Sequence, residues 1–468
     1  MTTVESEALL RARWERAGQG QVFRFWPQLA DLERARLSRT LLSIDLDLVH
    51  RLAALARDSQ TAVASPRFEP PEVFTLRTRQ AEPARVAAAR ARGATLLRDG
   101  RVGYLLVAGG QASRLGYDGP KGAFPVGPVS GRSLFEIFAR RLIAARERYG
   151  ARPLWYVMTS IGNDGETRAF FERHRFFGLA RDDVFFFTQA MLPALDADGR
   201  VLMAAPDAPF LAPNGHGGTL MALRDSGALE HARDHGVEVF SYFQVDNPLA
   251  APADTLFLGL HAEARAQMSS KVVVKRDAEE KVGVLGRVDG KLSCIEYSDL
   301  PPELRNARDA QSQLVFGAGN IAVHAIDRAF VERLTDGGLQ LPWHVARKSI
   351  PALDALGAAC EVPGYKFETF VFDALAFVER SVTLEVDRAV EFSPVKNKSG
   401  DDSPKTARSA QCNLHAAWVR AAGRTLPAPD EHGDVPVEID PCLAEDAETF
   451  RARAPAAPAV STQGHFWS

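Results

Sequence analysis

The sequence predicts an α/β fold, a mixed central sheet flanked by helices, with a helical N-terminal region and a small C-terminal region. Three observations predict it. Residues 1–98 carry apolar side chains at three- and four-residue spacing, the period of helices that bury one face. After Gly100, short apolar runs alternate with amphipathic stretches, the mark of a sheet covered by helices. From about Arg388 this alternation gives way to a smaller region. The expected divisions are 1–98, 99–387 and 388–468.

In order, ESEALLRARWERAG, LADLERARLSRTLLSIDLDLVHRLAALARD and ARVAAARARGATLLRDG read as helices, interrupted by an extended loop at Pro66, Pro70 and Pro71. YLLVAGG then reads as a buried strand and Ser133 to Tyr149 as a helix. PLWYVMTS and DVFFFTQ read as strands separated by the helix ETRAFFERH. VEVFSYFQVDN is a further strand, and DTLFLGLHAEARAQM the helix after it. KVVVKR and KVGVLGRVDGKLSCIEY read as strands and hairpins, with a turn at Asp289-Gly290. LVFGAGNIAVHAI and GYKFETFVFDALAF resume the main body, and RAPAAPAVSTQGHFWS reads as a flexible tail.

The 468 residues are 46% hydrophobic and 25% charged, with a net charge of -3. That balance argues against broad nucleic-acid or anionic-membrane binding, while leaving room for a local basic pocket. The four cysteines lie far apart without a CxxC pair, and the start MTTVESEALLRARWERAG is charged and amphipathic. Reduced thiols in a cytoplasmic protein are expected.

The densest chemistry lies in LLVAGGQASRLGYDGPKGAFPVG, between the first strand and its helix. Glycines let backbone N–H groups approach and cradle phosphate oxygens. Arg114 could fork onto a phosphate and Lys121 place a point charge beside one. The spacing is neither GxxxxGK[ST] nor GxGxxG. On the residues alone the stretch is either a phosphate cradle or a structural turn with solvated charges.

AGGQASRLGYDGPKGAFPVG resembles the signature loop LxGGxGTRLGxxxPKG of sugar-nucleotide pyrophosphorylases, above all the eukaryotic-type UDP-N-acetylglucosamine enzymes and their UDP-hexose relatives. Ala112 and Ser113 stand where the family has Gly-Thr. The resemblance implies a Rossmann-like, GT-A-like nucleotidyltransferase fold. It implies that Ala108, Gly109 and Gly110 bind UTP, and that Arg114 and Lys121 support the transferring phosphoryl group. Further segments follow in the family's order from residue 40 to 410, starting with SIDLDLV. QAMLPAL is similar to the segment whose glutamine, here Gln189, reads uracil. APNGHGGTLMAL is similar to a loop near uridine and sugar, implying contacts from Gly215 and His216.

YFQVDNPLA is similar to the element that holds Mg²⁺, implying Asp246 as metal ligand. EKVGVLGRVDG, IEYSDLP and FGAGNIAVH imply sugar contacts from Gly283, Glu296 and Asn320. YKFETFVFD implies that Phe370 and Phe372 shape an N-acetyl pocket. EFSPVKNKSGDDSPKTAR implies that Lys396 reaches the phosphates.

The implied reaction joins UTP to a hexose 1-phosphate, giving a UDP-sugar and pyrophosphate. The sugar phosphate is already ionised at pH 7, so no general base is needed. N-acetylglucosamine 1-phosphate, glucose 1-phosphate or both remain open: Gly283, Glu296, Asn320 and the FVFD element favour the amino sugar, and His216 pulls toward glucose. A non-catalytic nucleotide-sugar sensor is the alternative from another class.

Overall fold

The computed structural model describes residues 7–58, 66–455, 458–461 and 463–468. They divide into two compact units. The first gathers residues 7–58 with 189–219 and 340–371; the second gathers 66–188, 220–339 and the described residues of 372–468. The expected N-terminal region is therefore shared. Helices Glu7–Arg16, Asp31–Leu42 and Leu46–Asp58 fall in the first unit, and α1 (Pro83–Arg98) in the second. The residues ahead of Glu7 lie outside the described ones.

The second unit is built on a ten-stranded mixed sheet. Its strands are β1 (Phe68–Glu69), β2 (Val102–Val107), β3 (Trp155–Thr159), β4 (Val184–Thr188), β5 (Val239–Gln244), β6 (Met268–Val274), β7 (Val284–Val288), β8 (Lys291–Ile295), β9 (Ala318–Asp327) and β10 (Thr383–Glu385). The main order is β1-β7-β9-β5-β2-β3-β4. Strands β5, β2, β3 and β4 run parallel, and β9 runs antiparallel to β5. From β2 the chain winds outward through β3 and β4, then returns to β5 on the other side of β2. That reversal is a topological switch point, where ligands collect beyond the carboxyl ends of strands.

Local chemistry places these elements as expected. Ser133 caps α2 (Leu134–Tyr149) by accepting the Glu136 N–H, and Gly150 closes it with φ 82°. Helix α2 buries Phe138 against the sheet, its ring centroid 4.9 Å from that of Phe243, and Phe135 against Phe171 of the helix Asp164–Arg173, also at 4.9 Å. Asp254 caps α3 (Thr255–Ala264), which packs closely on α1. Asp289 and Gly290, at φ 51° and 81°, make the β7–β8 turn, the backbone pattern that matches strand twist. On β6, Lys271 is fully buried, its ammonium 2.7 Å from Asp254 and 2.5 Å from Glu391.

The chain's last described segment corrects an expectation. Read as a flexible tail, it instead supplies β12 (Ala459–Ser461) and β13 (Gly464–Trp467), the latter parallel to β11 (Val437–Ile439). Trp467 is 2% exposed and meets Phe450 edge-on, so its apolar surface offsets the ordering entropy of the segment. This small sheet shares a core with α4 (Pro404–Ala421) through Ala416 and Val419.

In the first unit, the N-terminal helices close around Trp14 together with Leu195, Val201 and Phe367. A long antiparallel hairpin, His344–Leu353 with Ala359–Glu368, forms its other element. GYKFE therefore leaves the main body expected for it, because Phe367 and Tyr365 pack with the N-terminal helices.

Candidate functional site

The glycine loop leaves the carboxyl end of β2 at the switch point. Asn163, fully buried, shapes it: its side-chain amide donates to the Ala108 carbonyl at 2.9 Å and to that of Gly110 at 3.2 Å. Its own oxygen accepts the Ser160 N–H at 2.8 Å. The Lys121 N–H also donates to the Gly110 carbonyl, and the Ala112 N–H to that of Gly119, each at 3.0 Å. With these carbonyls tied down, the N–H groups of Gly109, Gly110 and Gln111 donate to none of the described residues. Three successive donors are thus left for a ligand, and runs of unspent backbone N–H groups are able to take an anion.

Only Gly116 and Gly119 in this loop take positive φ, 74° and 138°. Gly122 is small for another reason: a Cβ there would enter the Phe135 ring, so the turn Lys121–Ala123 lies flat on α2. Gly122→Val is expected to lower stability by about 1–3 kcal/mol through overpacking, and to displace Lys121. A denaturant midpoint and a turnover measurement check both.

The cations gather at this loop. Arg114 and Lys121 make no side-chain hydrogen bond or ion pair among the described residues. A Cβ built on Gly110 would meet Lys121 Cε at 4.0 Å, and one on Gly116 would meet Lys398 Nζ at 3.6 Å. Lys398 went unrecognised in the sequence, although the KNK pattern of Lys396 to Lys398 signalled a pair.

Asp246 leaves the carboxyl end of β5, whose Gln244 pairs in register with Val107 of β2. The glycine loop and Asp246 thus emerge side by side. The Val395 N–H donates to the Asp246 carbonyl at 2.8 Å. Buried Asn247 completes the junction: its amide donates to the Glu391 carbonyl at 2.8 Å, and its oxygen accepts the Ser393 N–H at 3.1 Å. This fastens the Lys396 segment beside Asp246. The Lys396 N–H donates to the Asp402 carbonyl at 2.6 Å, and its ammonium lies 3.9 Å from the Asp402 carboxylate.

The Asp246 side chain is half-buried. Among the described residues no group of three or more His, Cys, Asp or Glu is arranged to hold a metal. A single half-buried carboxylate suits a hard cation that keeps several waters and takes its other ligands from elsewhere.

The sugar candidates of this unit also meet. The Asn320 N–H donates to the Gly283 carbonyl at 2.8 Å, and a Cβ on Gly283 would meet Cys294 Sγ at 2.9 Å and Glu296 Oε1 at 3.7 Å. The Asn320 amide lies 3.5 Å from Cys294 Sγ. Burial, which outweighs the Asn320 contact, pushes the Cys294 thiol up to about 12, so it stays neutral. Because β9 pairs antiparallel to β5 from Val239↔Asp327 to Tyr242↔His324, its beginning at Asn320 lies on the same edge as Asp246. A bulge opposite Ser270–Val272 and a left-handed Ala322, φ 54°, whose N–H donates to Asn320 Oδ1, aim that residue.

Gln189, Gly215, His216 and Phe370 come together within the other unit. The Gln189 amide donates to the Gly215 carbonyl at 2.6 Å. Gly215 and Gly217 are small because Thr369 and Phe370 backbone lies against them, and the Gly217 N–H donates to the Thr369 carbonyl at 2.8 Å. His216 Nδ1 accepts the Val371 N–H at 3.1 Å, which puts the proton of the neutral ring on Nε2. The Phe370 ring centroid lies 5.2 Å from that of His216 and 4.5 Å from that of His344. His344 was not singled out in the sequence. Phe372 is half-buried on the 3₁₀ turn Val371–Phe377.

No helix among the described residues is long and apolar enough to cross a membrane. Several known proteins resemble this chain along most of its length. It is 36% identical to the UDP-N-acetylhexosamine pyrophosphorylase-like protein 1 of Homo sapiens, covering 95% of this chain and 94% of that protein. It is 33% identical to the probable UDP-N-acetylglucosamine pyrophosphorylase of Dictyostelium discoideum, covering 94% of each. The crystal structure of uridine diphosphate N-acetylglucosamine pyrophosphorylase from Trypanosoma brucei superposes with a TM-score of 0.83 at 27% identity, covering 97% of this chain and 95% of that one. Residues 53–437 match the family described as UTP–glucose-1-phosphate uridylyltransferase. A glycine loop at the switch point with Lys121 and Lys398 against it, and a match over most of the sequence, agree: the chain belongs to the UTP–glucose-1-phosphate uridylyltransferase family.

Proposed function

We propose that this chain is a UTP-dependent sugar-1-phosphate uridylyltransferase, with N-acetylglucosamine 1-phosphate as the favoured sugar substrate. The observation that carries the reading is the run of unspent N–H groups at Gly109–Gln111, flanked by uncommitted Arg114 and Lys121 and lying beside Asp246. A triphosphate would lie in that cradle. A phosphate oxygen of the sugar phosphate attacks the α-phosphorus in line, and pyrophosphate leaves. The protein's work is positioning and cancelling repulsion between two polyanions. Arg114 and Lys121 neutralise the transferring and leaving phosphates, and Lys396 approaches from the segment fastened to Asp246.

Nucleotidyltransferases generally use a divalent metal, and Mg²⁺ on Asp246 would add charge and a template for the phosphates. Asp246→Ala is therefore expected to raise the Mg²⁺ requirement steeply; a titration matching the parent's would remove Asp246 from that role.

Gly283, Glu296 and Asn320, clustered on the same sheet edge, support the amino-sugar reading. His216, whose type pulls toward glucose, bonds the Val371 N–H and lies against the Phe370 ring, a role that either sugar would leave in place. Pyrophosphate release, measured with UTP and each sugar phosphate side by side, is the test. Faster turnover with N-acetylglucosamine 1-phosphate is expected. Preference for glucose 1-phosphate would overturn the sugar assignment, and no release with either would leave a sensor. A cytoplasmic location fits these soluble substrates.

A further inference from the structure

A charged cavity of about 300 Å³ lies in the unit that carries the glycine loop, walled by α1, α2, α4 and the approach to α3. Four guanidinium groups line it: Arg79, Arg90, Arg141 and Arg148. Their partners are few. Arg79 and Arg90 make no side-chain hydrogen bond or ion pair among the described residues. Arg141 has a buried Nε without a partner, a long 3.3 Å bond to the Pro248 carbonyl and an ion pair with Glu445 at 3.9 Å. Arg148 reaches Asp446 only at 3.9 Å.

Four carboxylates share the cavity with the four guanidiniums but are poorly matched to them: Asp446 reaches Arg148 only at 3.9 Å. Asp254 and Glu391 both face it, but both are committed to the ammonium of Lys271. Burial holds the Glu445 carboxyl up at about 7, against the pull of Arg141, so it carries only part of a charge at neutral pH. Arg141 is the buried member, whose charge is costly unless an anion joins it, while Arg79, Arg90 and Arg148 stand nearer to solvent with their guanidiniums free to turn toward one. Planar guanidiniums match phosphate oxygens two at a time. The rest of the wall, including Leu249, Leu414 and Trp418, is apolar and suits a ring or carbon skeleton.

We propose that this cavity binds a phosphorylated small molecule through Arg79, Arg90, Arg141 and Arg148, at a site separate from the glycine loop. It backs onto the catalytic segments: the carbonyl of Glu391, in its wall, takes the Asn247 amide next to Asp246. A ligand here therefore presses on the junction that fastens the Lys396 segment. The proposal does not depend on which reaction the glycine loop performs.

Phenyl phosphate is a suitable probe, having a ring and a dianion but no nucleotide or sugar. It would be titrated calorimetrically into the full chain and into two variants. The parent is expected to bind it saturably. The double variant R79Q/R90Q, which removes two surface charges without opening the core, is expected to bind about tenfold more weakly or worse. K121A, altered only in the glycine loop, is expected to bind like the parent. Absence of saturable binding by the parent, equal binding by R79Q/R90Q, or loss in K121A would each overturn the proposal. The last result would place the phosphate in the glycine loop instead.

Discussion

Lys121→Ala is expected to fold normally and to lose about 10²–10³ in turnover. The contribution of Lys121 to structure is through its main chain, whose N–H donates to the Gly110 carbonyl, and alanine keeps that bond. Its ammonium has no partner among the described residues, so removing it leaves no orphaned acid. Stability measured by thermal unfolding should stay within error of the parent. A cation that acts on charge developing during phosphoryl transfer matters most to the reaction barrier. Rates of pyrophosphate release at saturating UTP check this, and parental turnover would show that the loop is only a turn.

The second large effect concerns Lys271. Lys271→Met is expected to destabilise the protein by about 3–5 kcal/mol, because it strands two buried carboxylates. In the native protein burial opposes the lysine's charge, yet Asp254 and Glu391 outweigh it and raise its pKa. Burial likewise drives Glu391 upward, so that acid is the first to protonate once its counter-ion is gone. A triple variant with Asp254→Asn and Glu391→Gln should recover much of the loss, since asparagine still caps α3 and no isolated charge remains. Urea midpoints of the parent, single and triple variants check the pattern. A single variant as stable as the parent would remove the triad as a brace.

The sheet was legible because its central strands are buried on both faces and read as apolar runs, as in LLV before Gly109 and VFSYF before Asp246. The motifs at the ends of those strands pointed to the correct edge. The hairpin of residues 344–368 was not legible: Pro351 and Pro363 sit inside its strands, where proline argues against a strand assignment. The grouping of residues 7–58 with 189–219 rests on contacts far apart in sequence, such as the Gln19 amide donating to the Gly199 carbonyl. Asn163 and Asn247, which organise the candidate site, escaped notice because a buried asparagine looks like any loop asparagine until its partners are known. Trp467 escaped because the alanines and prolines before it read as a loose tail.

Those late residues bear on the beginning of the site. The Glu438 carboxylate accepts the Val129 and Ser130 N–H groups at 2.9 and 2.7 Å, and Asp440 pairs with Arg132 at 2.8 Å and Arg140 at 2.9 Å. The stretch between the glycine loop and α2 is therefore clasped by acids made some three hundred positions later. Time enters through that clasp: during synthesis the early strands can assemble, but this stretch waits for its acids to leave the ribosome. Nascent chains halted just before Glu438 should retain little UTP on a filter, and chains released past Trp467 should retain it fully.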